Sequence, residues 1–278
     1  ILSTFKDHLG NDINNPYINL QNATTPATQA SIVWMDQNGL VENLSVTNSG
    51  ASSFVNFHVP ADKIKNGNAV IAVKDASGKV MWSWHLWFDQ TKALQTIECT
   101  NYQKDKFTLT RHILGYVLFK WEATSYEVAR VARMKVEQEA GNNGEKNITY
   151  VTITQNPYAE RDYSTTFYQF GRKDALPGTD TFYPTNSYSF DNTTGGRSLG
   201  YAIQHPENMF IYAQTGTYYY DWCNATYYNL WSADNTTTGF NDNAVVKTVY
   251  DPCPVGFKMP ASNAFTGFTS NGQYQSGA

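Results

Sequence analysis

Charge is scarce in this chain. Asp, Glu, Lys and Arg make up 16 % of 278 residues, and the 20 basic side chains are dispersed without a run that could track phosphates. Nucleic acid is therefore not an expected partner. Long apolar runs are missing as well, so no segment has the length of about 18 apolar residues that a membrane-spanning helix needs. Cysteine is limited to Cys99, Cys223 and Cys253. No two of them lie two to four residues apart and no His pair accompanies them, which excludes the common zinc spacings. There is no His-Glu-x-x-His, no phosphate-cradling glycine loop and no cysteine followed by a plausible histidine base. A non-enzymatic protein is expected, with paired carboxylates for glycoside hydrolysis the one chemistry that spacing leaves open.

What the chain holds in quantity is apolar and aromatic residues, 41 % and 15 %, among abundant Asn, Thr, Ser and Gly. β-Branched and aromatic side chains suit pleated surfaces, and Asn and Gly suit turns. A mainly β, extracellular protein is expected, and its length favours two domains. Residues 1–30 are polar and read as a leading segment laid on the first domain. Strand signals follow at Ser31–Asp36, Val55–Val59 and Ala69–Lys74. After the turn Asp75-Ala76-Ser77-Gly78, the residues Val80, Trp82, Trp84, Leu86 and Phe88 alternate onto one face, which predicts a hairpin from Ala69 to Phe88. Aromatics on both faces of its second strand predict a central position. Trp82 and Trp84 then belong in the core, and His85 reads as a satisfied buried histidine. Two strands are expected between Phe107 and Trp121. Tyr126–Ala140 fits a helical stripe as well as a strand, but Gly141-Asn142-Asn143-Gly144 and the helix-poor run Asn147–Gln155 favour a hairpin. These strands would close a β-sandwich over residues 31–157, and 158–278 reads as a second, loop-rich domain.

Near the end, Tyr250-Asp251-Pro252-Cys253-Pro254-Val255-Gly256-Phe257-Lys258-Met259-Pro260 sets a cysteine between prolines that fix φ. Pairing of Cys253 with Cys223 is expected; it would close a loop of about thirty residues, remove on the order of 3–4 kcal/mol of unfolded-state entropy and indicate an oxidising compartment. Three buried thiols are the alternative. The stretch resembles the signature of the Fibrobacter succinogenes-type major paralogous domain found in fimbrillin-like surface proteins of Bacteroidetes. Trp82-Ser83-Trp84-His85-Leu86-Trp87 and Tyr168-Gln169-Phe170-Gly171-Arg172-Lys173-Asp174 resemble further hallmarks of those proteins, so the likeness runs from about residue 30 to 268. It implies an N-terminal immunoglobulin-like β-sandwich followed by a loop-rich, C-type-lectin-like α+β domain that is incomplete at its C-terminus. It also implies a cell-surface adhesin or pilus-associated subunit whose partners are other surface or pilus subunits, or host or dietary glycans. A carbohydrate-binding module of a glycan-capture system is the second reading.

The densest aromatic cluster, Tyr218-Tyr219-Tyr220-Asp221-Trp222 with Tyr227, Tyr228 and Trp231, nominates Tyr219, Trp222, Tyr228 and Trp231 as ligand-binding residues; the alternative is that they fill a small domain short of aliphatics. Asp221, Asp234, Asn235, Asn241, Asp242 and Asn243 carry the hard oxygens that calcium takes, although they are also turn formers and their spacing is not that of the helix-loop-helix calcium loop. No other cofactor is expected. Phe170-Gly171-Arg172-Lys173-Asp174 reads as a structural turn with a salt link.

Overall fold

A computed structural model describes residues 5–21, 24–47, 53–61, 64–89, 93–123, 128–138, 147–155, 159–214, 217–219, 222–236 and 239–268. The chain is mainly β, as its composition predicts. Two compact units are formed: Ile1–Val117 with Ser164–Ala278, and Leu118–Tyr163.

The first unit begins with a short ladder, β1 (Phe5–Lys6) with β2 (Asp12–Ile13), and one helical turn, α1 (Ile18–Gln21). β3 (Gln29–Met35), β4 (Glu42–Thr47), β5 (Phe54–His58), β6 (Gly67–Lys74) and β7 (Val80–Phe88) follow, then the hairpin of β8 (Thr96–Thr100) and β9 (Lys106–Thr110). The main sheet has the order β3-β6-β7, antiparallel throughout. The hairpin expected from Ala69 to Phe88 is present. Its turn is held by Asp75, whose carboxylate accepts from Ser77 N and Lys79 N at 2.9 and 3.0 Å. The central strand is β6, however, and not the tryptophan-rich β7. Seven of the eight β6 residues are buried, because small and β-branched side chains fit between two covered faces, whereas the indoles of β7 need the wider space at the sheet margin.

Each face of this sheet has its own cover. On one, Met35, Leu40, Val41, Ala69 and Ile71 pack with Leu86, Phe88, Leu44 and Val55, so the β4–β5 hairpin forms a second β layer. On the other, Trp34 and Val70 pack with Ala175 and Phe182. This core joins chain on both sides of the boundary expected at residue 157. The part after residue 164 is loop-rich: β14 (Thr166–Phe167) pairs β15 (Leu176–Pro177), and β16 (Ser189–Asp191) pairs in parallel with β17 (Asn208–Phe210), through α2 (Leu199–Gln204). β18 (Tyr212–Gln214) pairs β19 (Thr217–Tyr219). A third core cluster gathers Ala202, Phe210, Trp222 and Leu230. The leading segment is divided: Val249 N donates to Lys6 O at 2.8 Å, and His8 packs edge-on against Tyr227 and Tyr250, so residues 5–13 lie on the C-terminal part of the unit.

The second unit contains the pair β10 (Val117–Ala123) and β13 (Ala159–Ser164) and the hairpin of β11 (Arg130–Glu137) and β12 (Ile148–Gln155). The ambiguity at Tyr126–Ala140 thus resolves to strand over its described residues. The Gly141–Gly144 turn lies outside the described residues.

Candidate functional site

Segment 168–176 is the spine on which the chemistry of the first unit is arranged. Three buried or half-buried indoles hang from its carbonyls: Trp222 Nε1 donates to Phe170 O at 2.7 Å, Trp231 Nε1 to Arg172 O at 3.1 Å, and Trp34 Nε1 to Ala175 O at 2.8 Å. Of the nominated ligand-binding residues, Trp222 is only 3 % exposed and belongs to the core; its ring cannot also face a ligand. Trp231 is half-buried, edge-on to Phe170. Tyr228 is half-buried and its carbonyl accepts from Asn235 Nδ2 at 2.9 Å. The backbone of Tyr219 lies in β19, and its side chain is outside what the structure describes.

The turn at Phe170–Asp174 carries the salt link that was expected, in a fully buried form. Asp174 accepts from Ser83 Oγ at 2.5 Å, from Lys173 Nζ at 2.5 Å and from Arg172 at 3.4 Å. Burial works against the Asp174 carboxylate, but the two cations beside it hold its pKa below the ordinary range, while burial lowers both Lys173 and Arg172. Lys173 Nζ also donates to Ser83 Oγ and sits 4.4 Å from the Trp82 ring centre. The cluster is enclosed, so a substrate has no access to Ser83 or Lys173; its role is to lock β7 to the spine. Beside it runs a second chain of hydrogen bonds. Asn68 Nδ2 donates to Asp36 Oδ2 at 3.0 Å and to Gly115 O at 2.8 Å, which turns its Oδ1 toward His85 Nε2 at 2.9 Å. His85 Nδ1 lies 2.7 Å from Tyr168 OH. In the neutral imidazole this places the proton on Nε2, with Nδ1 accepting from the tyrosine. Burial pushes the His85 pKa down to about 4 and that of Asp36 up to about 6. His85 is thus a satisfied structural histidine.

The Cys223–Cys253 disulfide is not formed: all three cysteines are thiols. Cys223 is held by the parallel bridge to Arg197 and packs on the third core cluster. The Cys253 sulfur turns toward Met259 Sδ at 3.6 Å, and burial raises its pKa to about 12. What pins the Asp-Pro-Cys-Pro corner is Asp251. Its carboxylate accepts from Cys253 N at 2.8 Å and Met259 N at 3.0 Å and pairs with Lys247 at 3.0 Å, while Lys247 Nζ also donates to Cys253 O at 2.7 Å. An Asp two residues before the donor is a legible turn signal, which the cysteine's prominence overshadowed.

Several of the candidate calcium oxygens are engaged in local hydrogen bonds. Asp234 accepts from Ser232 Oγ, Asn235 bonds Tyr228 O and Asn241 Oδ1 takes Asn243 N; among the described residues no group of three His, Cys, Asp or Glu could hold a metal, and Asp221 lies outside them. Contrary to the expectation of a chain without a Gly-x-Ser-x-Gly motif, Gly196-Arg197-Ser198-Leu199-Gly200 matches that serine-hydrolase spelling. Ser198 there is the N-cap of α2, with relaxed extended backbone, and its Oγ accepts from Tyr201 N at 3.2 Å. This is capping chemistry, unlike the strained elbow that exposes a nucleophile.

The surface feature that the sequence did not announce is an apolar groove of about 390 Å³ between α1, the β4–β5 hairpin and the main sheet. Tyr17, Phe54, Phe57, Ile71, Trp84 and Leu86 line it. Trp84, expected in the core, is 38 % exposed here, and Phe54 is 63 % exposed. Its nearby polar groups are already engaged: Asn19 donates to Ser53 Oγ at 2.9 Å and accepts from Ala27 N at 2.7 Å. The groove suits an occupant that presents an apolar face to aromatic rings. Among the described residues, no helix is long and apolar enough to cross a membrane. No protein-family model, no curated protein and no solved structure matches the chain.

Proposed function

We propose that this chain is a non-enzymatic cell-surface protein, a fimbrillin-like adhesin or pilus-associated structural subunit, that acts by contact through a β scaffold. The observation that carries the reading is the groove, in which solvent-facing Trp84, Phe54 and Phe57 stand on a double β layer. The enclosure of Ser83 and Lys173, and the engagement of both His85 ring nitrogens in hydrogen bonds, favour display over turnover. The resemblance at residues 82–87, 168–174 and 250–260 supports the surface compartment and the fimbrillin-like kind.

The alternative, a carbohydrate-binding module, is favoured by the exposed indole of Trp84 beside Tyr17, since indoles stack on the C–H faces of pyranose rings. One experiment tests both readings: purified full chain is applied to a glycan array and to surface fractions of the source organism, beside Trp84→Ala. Trp84→Ala is expected to keep the fold and lose at least tenfold in binding. Capture of a surface or pilus component without any glycan signal supports the structural subunit, and a defined glycan signal lost in Trp84→Ala supports the module. A protein confined to the cytoplasm on fractionation, or one that binds neither, overturns the proposal. Binding and unfolding midpoint are both expected to be unchanged by a calcium chelator.

A further inference from the structure

The hairpin of β11 and β12 is built like half of a sheet. Eight consecutive residue pairs run without a bulge. On one face Ala132 stands opposite Ile153, Met134 opposite Val151 and Val136 opposite Thr149; these four larger apolar side chains remain between 43 % and 50 % exposed. The other face carries Arg133 over the Tyr150 ring at 4.1 Å and Lys135 with Glu137 at 2.7 Å, with Val131 and Ile148 also exposed there. Among the described residues the sheet has only these two strands.

Its two edges differ in a way that selects a partner. β11 carries Arg130, Arg133, Lys135 and Glu137, a charged edge of the kind that resists pairing with itself. β12, Ile-Thr-Tyr-Val-Thr-Ile-Thr-Gln, has no charge, no proline and no glycine in eight residues, the composition that adds strands most readily. We propose that the β12 edge is a homotypic interface, at which β12 of a second copy pairs antiparallel across a two-fold axis to make a four-stranded sheet. Like edges without charge are self-compatible, whereas two β11 edges would oppose three cations to three. The two-fold axis must pass through a residue, because only then do both apolar stripes fall on the same side of the joined sheet. Centred on Thr152, the pairing sets Val151 opposite the partner's Ile153 twice. A single edge pairing buries less than the roughly 1,200 Å² of stable interfaces, so the dimer is weak and concentration-dependent. This interface does not depend on the surface-protein reading.

The test is sedimentation velocity of the full chain over a concentration series, with Thr152→Lys and Thr154→Lys as edge-charging variants. Wild type is expected to pass from monomer to dimer in the micromolar range or above, and each lysine variant to weaken the dimer at least tenfold with unchanged circular dichroism and unfolding midpoint. Amide exchange of β12 should slow as concentration rises in wild type, a readout that holds even if a variant misfolds. A wild type that stays monomeric, a dimer that both lysine variants leave intact, or β12 protection independent of concentration would overturn it; the last means that the chain covers its own hairpin.

Discussion

At the Pro252–Pro260 corner one carboxylate receives two backbone N–H groups and the Lys247 ammonium. Asp251→Ala leaves those half-buried donors unmatched, and the expected loss is about 1–3 kcal/mol of stability by urea denaturation. Cys253→Ala removes only a sulfur contact and should cost about 1 kcal/mol. A reducing agent is expected to leave the wild-type midpoint unmoved. The Asp36–Asn68–His85–Tyr168 chain gives a pH signature with two opposed parts. His85, lowered from 6.5 to about 4 by burial, lets the unfolded chain take the extra proton, so its effect is a loss of stability as pH falls from 6.5 to 4. Asp36, raised from 3.8 to about 6, does the reverse: the native state takes the proton, and stability rises as pH falls from 6 to 3.8. Each is worth up to about 3 kcal/mol. Wild-type stability should therefore be nearly flat from pH 6.5 to 4. Asp36→Asn should turn it into a decline on acidification and His85→Gln into a rise, as read by urea midpoints at pH 7, 5 and 4; parallel profiles in all three proteins would refute the pairing.

The turn before the buried ion cluster is sensitive to a single methyl group. Gly171 has φ +83°, and a Cβ there would meet Leu230 Cδ1 at 2.7 Å; Gly195 has φ +87° with nothing within 4 Å. Both alanine variants bear the left-handed strain of about 1–2 kcal/mol, and Gly171→Ala should cost at least about 1 kcal/mol more by urea denaturation, because Leu230 sits in the packed third cluster. Equal costs would show that the spine yields. Elements of this kind divide by whether their cause is local. The β6–β7 hairpin was legible because alternation and the Asp75–Gly78 turn are both encoded within twenty residues. The rank of β6 over β7 was not, since aromatic residues on both faces of β7 fit a sheet margin bearing a groove and an ion cluster as well as they fit a centre. The spine was legible only as a turn: its indole donors come from 52 to 141 residues away, and no window of sequence holds both partners.

On the scale of the whole molecule, chain before residue 117 and chain after residue 164 share cores and hydrogen bonds. Fragments 31–157 and 158–278 are accordingly expected to be unfolded when separate, because the first lacks Ala175 and Phe182 over Trp34 and the second lacks Ser83 beside Asp174. Near-ultraviolet circular dichroism and thermal scans check this, and a cooperative transition in either fragment alone would contradict it. The bond from Trp34 to Ala175 also sets an order in time. A chain emerging from its N-terminus presents the Trp34 face of its main sheet some 141 residues before the cover for it exists, and closing a loop of that length precedes any reward from the contact. Folding of the first unit should thus be slow and late, waiting on the spine, with the Trp34 face uncovered in the interval.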